Sequence, residues 1–206
     1  MCVTKNLKLD KKNIRISSDH YLVRTIKSDD ASERWASWAS DPELVYMMNM
    51  SPLTWTTHDV ADYINKYDQR SRLLLGIFER DTWKHIGVIA AEIRHGDQVL
   101  GNMFIGDPQY RNKGVITEIL VPCRDYFFDK LGIKIMRGTV LARNHVMTAL
   151  LLKTGFTLDQ TVKNYVKSKS DDSMLDLCMF SLTRDAWRAW KEANLLRSID
   201  SSAPLS

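Results

Sequence analysis

Between Phe104 and Phe156 the chain changes pattern in a way that few folds accommodate. A β-rich run (FIGDPQY) leads into a basic glycine turn (Arg111, Asn112, Lys113, Gly114), a helical stretch to Lys130, a second β-rich run (IKIMRGTV), and a helix from Asn144 that ends at Gly155-Phe156. This is a βαβ unit. A hairpin cannot bring the second strand back, so a right-handed crossover laying it parallel to QVLGNMFIGD is the expected solution. Spacing supports the crossover helix: Ile116, Ile119, Leu120, Cys123, Phe127 and Leu131 form one apolar stripe, and Gly132 is placed to end it. Pro122 lies inside that stripe and removes a backbone bond to Glu118, which predicts a kink or a distorted turn there.

The flanking segments fill in a sheet. LLLGIFER, HIGVIAAEI and QVLGNMFIGD are separated by the turn signals Asp81 to Lys84 and Arg94 to Asp97, and they read as an antiparallel meander. TLDQTVKNYVK and MLDLCMFSLT, joined by the polar loop Ser168 to Ser173, read as a last antiparallel pair. Ahead of the meander, YLVRTIK is a first strand, and Ser28-Asp29-Asp30 supplies cap chemistry for a helix through Trp35 and Trp38 to Ala39. Asp41-Pro42 restarts the chain in a second helix, and Thr56 with Asp59 caps a third. Arg184 to Glu192 closes the chain as a short helix. The expected fold is mixed α/β: a mostly antiparallel sheet of seven strands with helices on both faces.

Composition narrows the class. A chain of 206 residues, 44% hydrophobic and 26% charged, can bury one sizeable core, so a single domain over 1-206 is expected, with its core about 20-192. The polar ends, to about Lys12 and from about Asn194, are expected to be loosely ordered. Val88 to Ala91 and Ile116 to Val121 fall far short of the ~20 apolar residues needed to span a bilayer. The segment after Met1 has no apolar signal core, so a soluble cytoplasmic protein with no membrane partner is expected. Cys2, Cys123 and Cys178 are odd in number and lack metal-ligand spacing, which fits a reducing compartment and no metal. A net charge of +4 with dispersed basic residues argues against a nucleic-acid partner and suits a small phosphorylated ligand.

The turn before the crossover helix carries the first chemical signal. The backbone N–H groups from about Asn112 to Ile116 have no intrahelical acceptor and point out of the positive end of the helix. Gly114 lets backbone approach an anion, while Arg111 and Lys113 add charge that holds a pyrophosphate or sits near it. An ordinary solvated turn is the competing reading.

Arg111-Asn112-Lys113-Gly114-Val115-Ile116 resembles the Gln/Arg-x-x-Gly-x-Gly/Ala signature of the GNAT superfamily of acyl-CoA-dependent N-acetyltransferases, with Ile116 in place of the last small residue. The resemblance extends through IGDPQYRNKGVITE, YFFDKLGIKI, Asn144 with LLKTGF, and LCMFSLTRDAW. It covers about Tyr21 to Trp190 and is nearest to the branch acting on ribosomal-protein N-termini and amino sugars. It implies acetyl-CoA as co-substrate, bound at Arg111, Asn112, Lys113, Gly114, Val115 and Ile116. It also implies a splay between the fourth and fifth strands, where Phe104, Ile105 and Gly106 bond the pantetheine arm. Asn144 stands where the family places a cofactor contact; as a helix N-cap it has a second reading, and the two can coexist.

The implied reaction is acyl transfer from a thioester to a primary amine, which needs a base for the ammonium, donors for the oxyanion, and a proton or dipole for the thiolate. The family's usual glutamate and tyrosine are not cleanly present: the fourth strand offers Gln98 and Asn102, and Leu152 stands at the tyrosine position. Glu92 is a candidate base, or a solvated hairpin carboxylate. Thr148 is a candidate thiolate donor, or bonds back to the Asn144 carbonyl. Tyr165 is a candidate acid. His58, His85, His95 and His145 are scattered, and Cys123 sits in the apolar stripe, so direct transfer in a ternary complex is preferred over a covalent route. The acceptor amine, on an amino sugar, a small amine or a protein N-terminus, is expected over the first two helices and the final hairpin, near Trp38, Tyr46, Trp55 and Tyr165. A homodimer is possible for such a chain. Two alternatives stand beside this reading: an acetyl-CoA binder with little or no transfer, and a dinucleotide-binding βαβ protein, which the single glycine of the turn disfavours.

Overall fold

The computed structural model describes residues 11–201. The expected looseness of residues 1–10 and 202–206, and Cys2, lie outside the described residues. The chain opens with a hairpin, β1 (Arg15–Ser17) and β2 (Tyr21–Thr25). Three short helices follow, α1 (Glu33–Trp38), α2 (Pro42–Met48) and α3 (Thr57–Asn65), and then the meander β3 (Arg72–Glu79), β4 (His85–Arg94) and β5 (Gln98–Ile105). The crossover helix α4 (Val115–Asp125) leads to β6 (Ile135–Leu141), α5 (His145–Lys153), the hairpin β7 (Thr157–Lys167) and β8 (Met174–Thr183), and α6 (Arg184–Ser201).

The sheet has eight strands in the order β1-β2-β3-β4-β5-β6-β8-β7, and β5 with β6 is its parallel pair. It exceeds the expected seven by β1, a three-residue strand too short to show alternation. The hairpin of β1 and β2 is held on α4 by Glu118, whose carboxylate accepts from Ser18 Oγ at 2.6 Å and His20 N–H at 2.8 Å.

Local chemistry explains most helix starts, with one correction. The Asp30 carboxylate accepts from Arg24 Nη1 at 2.9 Å and from Lys27 N–H at 2.8 Å, which closes a 3-10 turn over Ser28–Asp30. The cap of α1 is therefore Ser32, whose hydroxyl accepts from Trp35 N–H at 3.2 Å. Asp41 caps α2 with Pro42 in the first turn, and Thr56 with Asp59 forms a reciprocal capping box on α3. At the other end, the run from Asn194 continues as α6 to Ser201, because no glycine or proline interrupts it before Pro204.

Helices cover both faces of the sheet. On one face Ile119, Leu120, Cys123 and Phe127 of the predicted stripe join Leu75, Ile89, Val99, Phe180 and Trp187. On the other, Trp35, Trp38, Val60 and Ile64 pack on Leu22, Leu74, Phe78 and Val88. Winding stays α-helical through Pro122 and widens to a π turn over Tyr126–Lys130, where Leu131 N–H reaches Tyr126 O at 3.0 Å. The distorted turn thus lies four residues past the proline. It brings adjacent Phe127 and Phe128 both into the core, 3% and 0% exposed.

Candidate active site

The parallel pair β5–β6 is registered over three rungs only, Gln98 with Ile135, Val99 with Met136, and Leu100 with Arg137. Past Leu100 the strands part, while β5 stays paired to β4 through Ile105 and β6 to β8 through Leu141. A splay therefore opens between β5 and β6 at their carboxyl ends.

Ladder alternation decides which groups face that gap. Gly106 N–H donates to Ile86 O at 2.9 Å, so Gly106, Phe104 and Asn102 point their backbone groups at β4. The groups left toward β6 belong to Gly101, Met103 and Ile105. This corrects the trio expected from the sequence. Phe104 and the N–H of Gly106 are occupied by the meander, the Gly106 carbonyl accepts from Arg111 Nη2, and Ile105 keeps only its N–H, because its carbonyl accepts from Arg111 Nε at 3.1 Å. Gly106 has a different necessity: a Cβ there would stand 2.1 Å from Cδ2 of the buried Trp38 ring.

The turn between β5 and α4 is rigidly built. Asp107, 6% exposed, accepts from Gln109 N–H at 3.0 Å and pairs with Lys84 of the β3–β4 hairpin at 2.9 Å. Asn112 and Gly114 both take left-handed backbone, φ 59° and 77°. The first helical bond of α4 is Glu118 N–H to Gly114 O at 3.0 Å. Among the described residues, the N–H groups of Asn112, Lys113, Gly114, Val115, Ile116 and Thr117 reach no protein acceptor, which makes this helix end a cradle for an anion. Val115 is buried at 1% exposure and Ile116 packs against the core, so the bulk of Ile116 is turned toward the sheet.

Arg111, expected to hold a pyrophosphate or to sit near it, has its guanidinium engaged by protein groups. Its guanidinium donates to Ile105 O at 3.1 Å and Gly106 O at 2.7 Å, and it pairs with Asp41 at 3.0 Å and Glu43 at 2.7 Å on α2. With two carboxylates and two carbonyls around it, Arg111 clamps the turn to α2. Lys113 is the exposed cation of the loop.

On the β6 side, Asn144 caps α5: its Oδ1 accepts from Met147 N–H at 3.1 Å, which leaves its amide nitrogen over. Thr148 does not bond back through its hydroxyl. Its N–H meets Asn144 O at 3.1 Å, while Thr148 Oγ1 is buried with no partner. An orphaned buried hydroxyl is costly, and a bound ligand would satisfy it. Arg143, which sequence reasoning missed, stacks over the Tyr46 ring at 4.1 Å and donates to Tyr46 O and to Ser168 Oγ at 3.3 Å, with its Nε buried and unpaired. Leu152 is exposed on α5.

Glu92 lies opposite Leu100, the last residue of β5 that pairs with β6, exposed and bonded to Arg94 at 2.9 Å, and the Arg94 guanidinium holds its carboxyl below the ordinary range. That is the hairpin-carboxylate reading, and a lowered pKa makes it a weak base. Of the aromatics expected near the acceptor, Trp38 is core at 5% exposure and Trp55 packs on Tyr63, while Tyr46 and Tyr165 are exposed. Cys123 is buried and its thiol is pushed up to about 12, which disqualifies it as a nucleophile.

A family profile for the acetyltransferase (GNAT) domain matches residues 20–157. The chain belongs to the GNAT acetyltransferase family. It is 25% identical over 156 residues to an uncharacterized N-acetyltransferase, YoaA, of Bacillus subtilis, covering 73% of this chain and 87% of that protein. The fold resembles a ribosomal-protein-S5-alanine acetyltransferase from Vibrio fischeri, at 17% identity and TM-score 0.70 over 85% of this chain and 99% of that one. It also resembles a spermidine N-acetyltransferase from Vibrio cholerae in complex with CoA and spermine, at 13% identity and TM-score 0.72 over 82% and 98%. As a GNAT N-acetyltransferase the chain transfers acetyl to an amine, and the fold it shares uses acetyl-CoA as co-substrate. Among the described residues no helix is long and apolar enough to cross a membrane.

Proposed function

We propose that acetyl-CoA lies with its diphosphate on the free amides from Asn112 to Thr117 and its pantetheine arm between β5 and β6, and that acetyl passes directly to a bound primary amine. The observation carrying this reading is the coincidence of two unsatisfied backbone sets: the helix-end amides, and the β5 edge at Gly101, Met103 and Ile105. An amide-bearing chain satisfies the edge as a neighbouring strand would. Gly114, with nothing within 4 Å of a built Cβ, leaves open space in which an anion can approach.

Thr148 Oγ1 and the spare Asn144 amide nitrogen are the donors on the β6 side, and Thr148 serves the departing thiolate. For the ammonium proton, the candidate base Glu92 is held below the ordinary range by the Arg94 guanidinium. It is not tuned upward to act as a base near neutrality, so the proton leaves to solvent and the amine's own ionisation sets the pH dependence. The acceptor meets the α1–α3 face of the splay, where Tyr46 offers an exposed ring.

Thiol release from acetyl-CoA tests the reading on a panel of a peptide N-terminus, an amino sugar and a polyamine. Release with at least one amine, at a rate rising with pH toward the amine's pKa, is expected. Acetyl-CoA binding without release on any amine would establish the inactive binder instead.

A further inference from the structure

Helix α2 touches both arms of the splay. At its start, Asp41 and Glu43 hold Arg111, whose Nε and Nη2 are bonded to the last carbonyl of β5, Ile105 O, and to the next one along the chain, Gly106 O. At its end, Tyr46 and Asn49 hold Arg143, two residues past the end of β6. Asn49 closes α2 in left-handed backbone and ties it to the β7–β8 loop, donating to Lys167 O at 3.0 Å and accepting from Lys169 N–H at 2.8 Å. One short helix is thus pinned to the carboxyl ends of two strands that no longer pair with each other.

Its length is informative. The seven residues of α2 rise about 10 Å at 1.5 Å each. Neighbouring strands lie about 4.8 Å apart, so a slot for one extended chain needs about two spacings, which is close to the rise of α2. We propose that α2 is a strut that holds β5 and β6 one vacant strand apart, with Arg143 as a positioning residue that keeps the slot open for the pantetheine arm. This rests on the reading above that the arm lies between these strands. The two clamps differ in kind. Arg111 is satisfied on every side and 11% exposed at its side chain, whereas Arg143 holds by ring stacking and single bonds and keeps one N–H without a partner. The β6 end of the strut is therefore the one a single substitution can release. A strut released at its β6 end keeps the Arg111 clamp on the turn, and no bond joins the free amides of the turn and α4 to Arg143, so the anion cradle stays in place.

Arg143→Ala separates the slot from the cradle. Acetyl-CoA and ADP, which carries a diphosphate without the pantetheine arm, are titrated against wild type and variant, ADP by competition with acetyl-CoA. The variant is expected to bind acetyl-CoA about tenfold more weakly, the loss when a preorganised site must be ordered on binding, with ADP affinity unchanged. Hydrogen exchange in α2 should quicken in the variant and return to the wild-type rate at saturating acetyl-CoA. Asn49→Ala, which removes a partner of both Arg143 and the β7–β8 loop, should act in the same direction and replaces Arg143→Ala if circular dichroism shows that variant unfolded. Unchanged acetyl-CoA affinity, or equal losses for acetyl-CoA and ADP, would overturn the strut. Failure of the wild-type protein to bind acetyl-CoA would instead remove the reading beneath it.

Discussion

Replacing Gly114 by glutamate should damage cofactor binding far more than folding, and the structure separates the two costs. Gly114 is the N-cap of α4 at φ 77°, and a Cβ there meets nothing within 4 Å. Any side chain therefore bears a conformational cost of about 1–2 kcal/mol for left-handed backbone, with no clash added. In a chain of this length that lowers the melting temperature by about 2–4 °C per kcal/mol. Alanine reports this cost alone. Glutamate adds a negative charge beside the amides that would receive the diphosphate. Two unit charges 4 Å apart repel by about 1 kcal/mol in water and about 4 kcal/mol at an effective dielectric of about 20. Those limits correspond to about a 5-fold and about a 1,000-fold loss of affinity. Calorimetry with acetyl-CoA on folded Gly114→Ala and Gly114→Glu measures both, and the penalty specific to glutamate should shrink as salt screens the charge. A folded glutamate variant with wild-type affinity would refute the reasoning, and the diphosphate would have to bind elsewhere.

Thr148→Val swaps a buried, unpaired hydroxyl for a methyl of the same shape. The protein without ligand should be equally stable or up to about 1–2 kcal/mol more stable in urea, while kcat falls; a lower stability would mean that the hydroxyl has a partner. His85 lies between the Phe78, Trp35 and Trp38 rings with Nε2 on Gly87 O at 2.9 Å, and burial pushes its pKa down from 6.5 to about 4. Its folded pKa is below the unfolded one, so its contribution is full above pH 6.5 and is lost as the pH falls toward 4, a loss of about 3 kcal/mol. Urea melts of wild type and His85→Phe at several pH values should show a shallower acid slope in the variant. Parallel slopes would mean that His85 does not titrate as its surroundings imply.

Features that depend on neighbours along the chain were legible in the sequence. The hairpin turns, the capping box at Thr56 and Asp59, the stripe on α4 and the basic glycine turn before it all rest on spacings of two to four residues. Asn144 was readable as a cap for the same reason. The extra strand β1 was not, because three residues carry no period, and Glu118, which anchors the turn between β1 and β2, lies about a hundred residues on. The roles of the arginines were also hidden. Arg111 looked like a ligand for phosphate because the turn advertises positive charge, but the carboxylates that capture it, Asp41 and Glu43, come from α2. Arg143 carried no local signal at all.

The sequence by itself determined the order of elements, the βαβ crossover and the glycine turn that leaves the first amides of α4 free, because hydrogen bonding within a turn and burial along one helix face are local. Only the tertiary structure decided where β5 and β6 part, which backbone groups face the gap and what holds it open. Those depend on which strand's carbonyls are already taken and on side chains that meet across the fold, and no spacing along the chain encodes either.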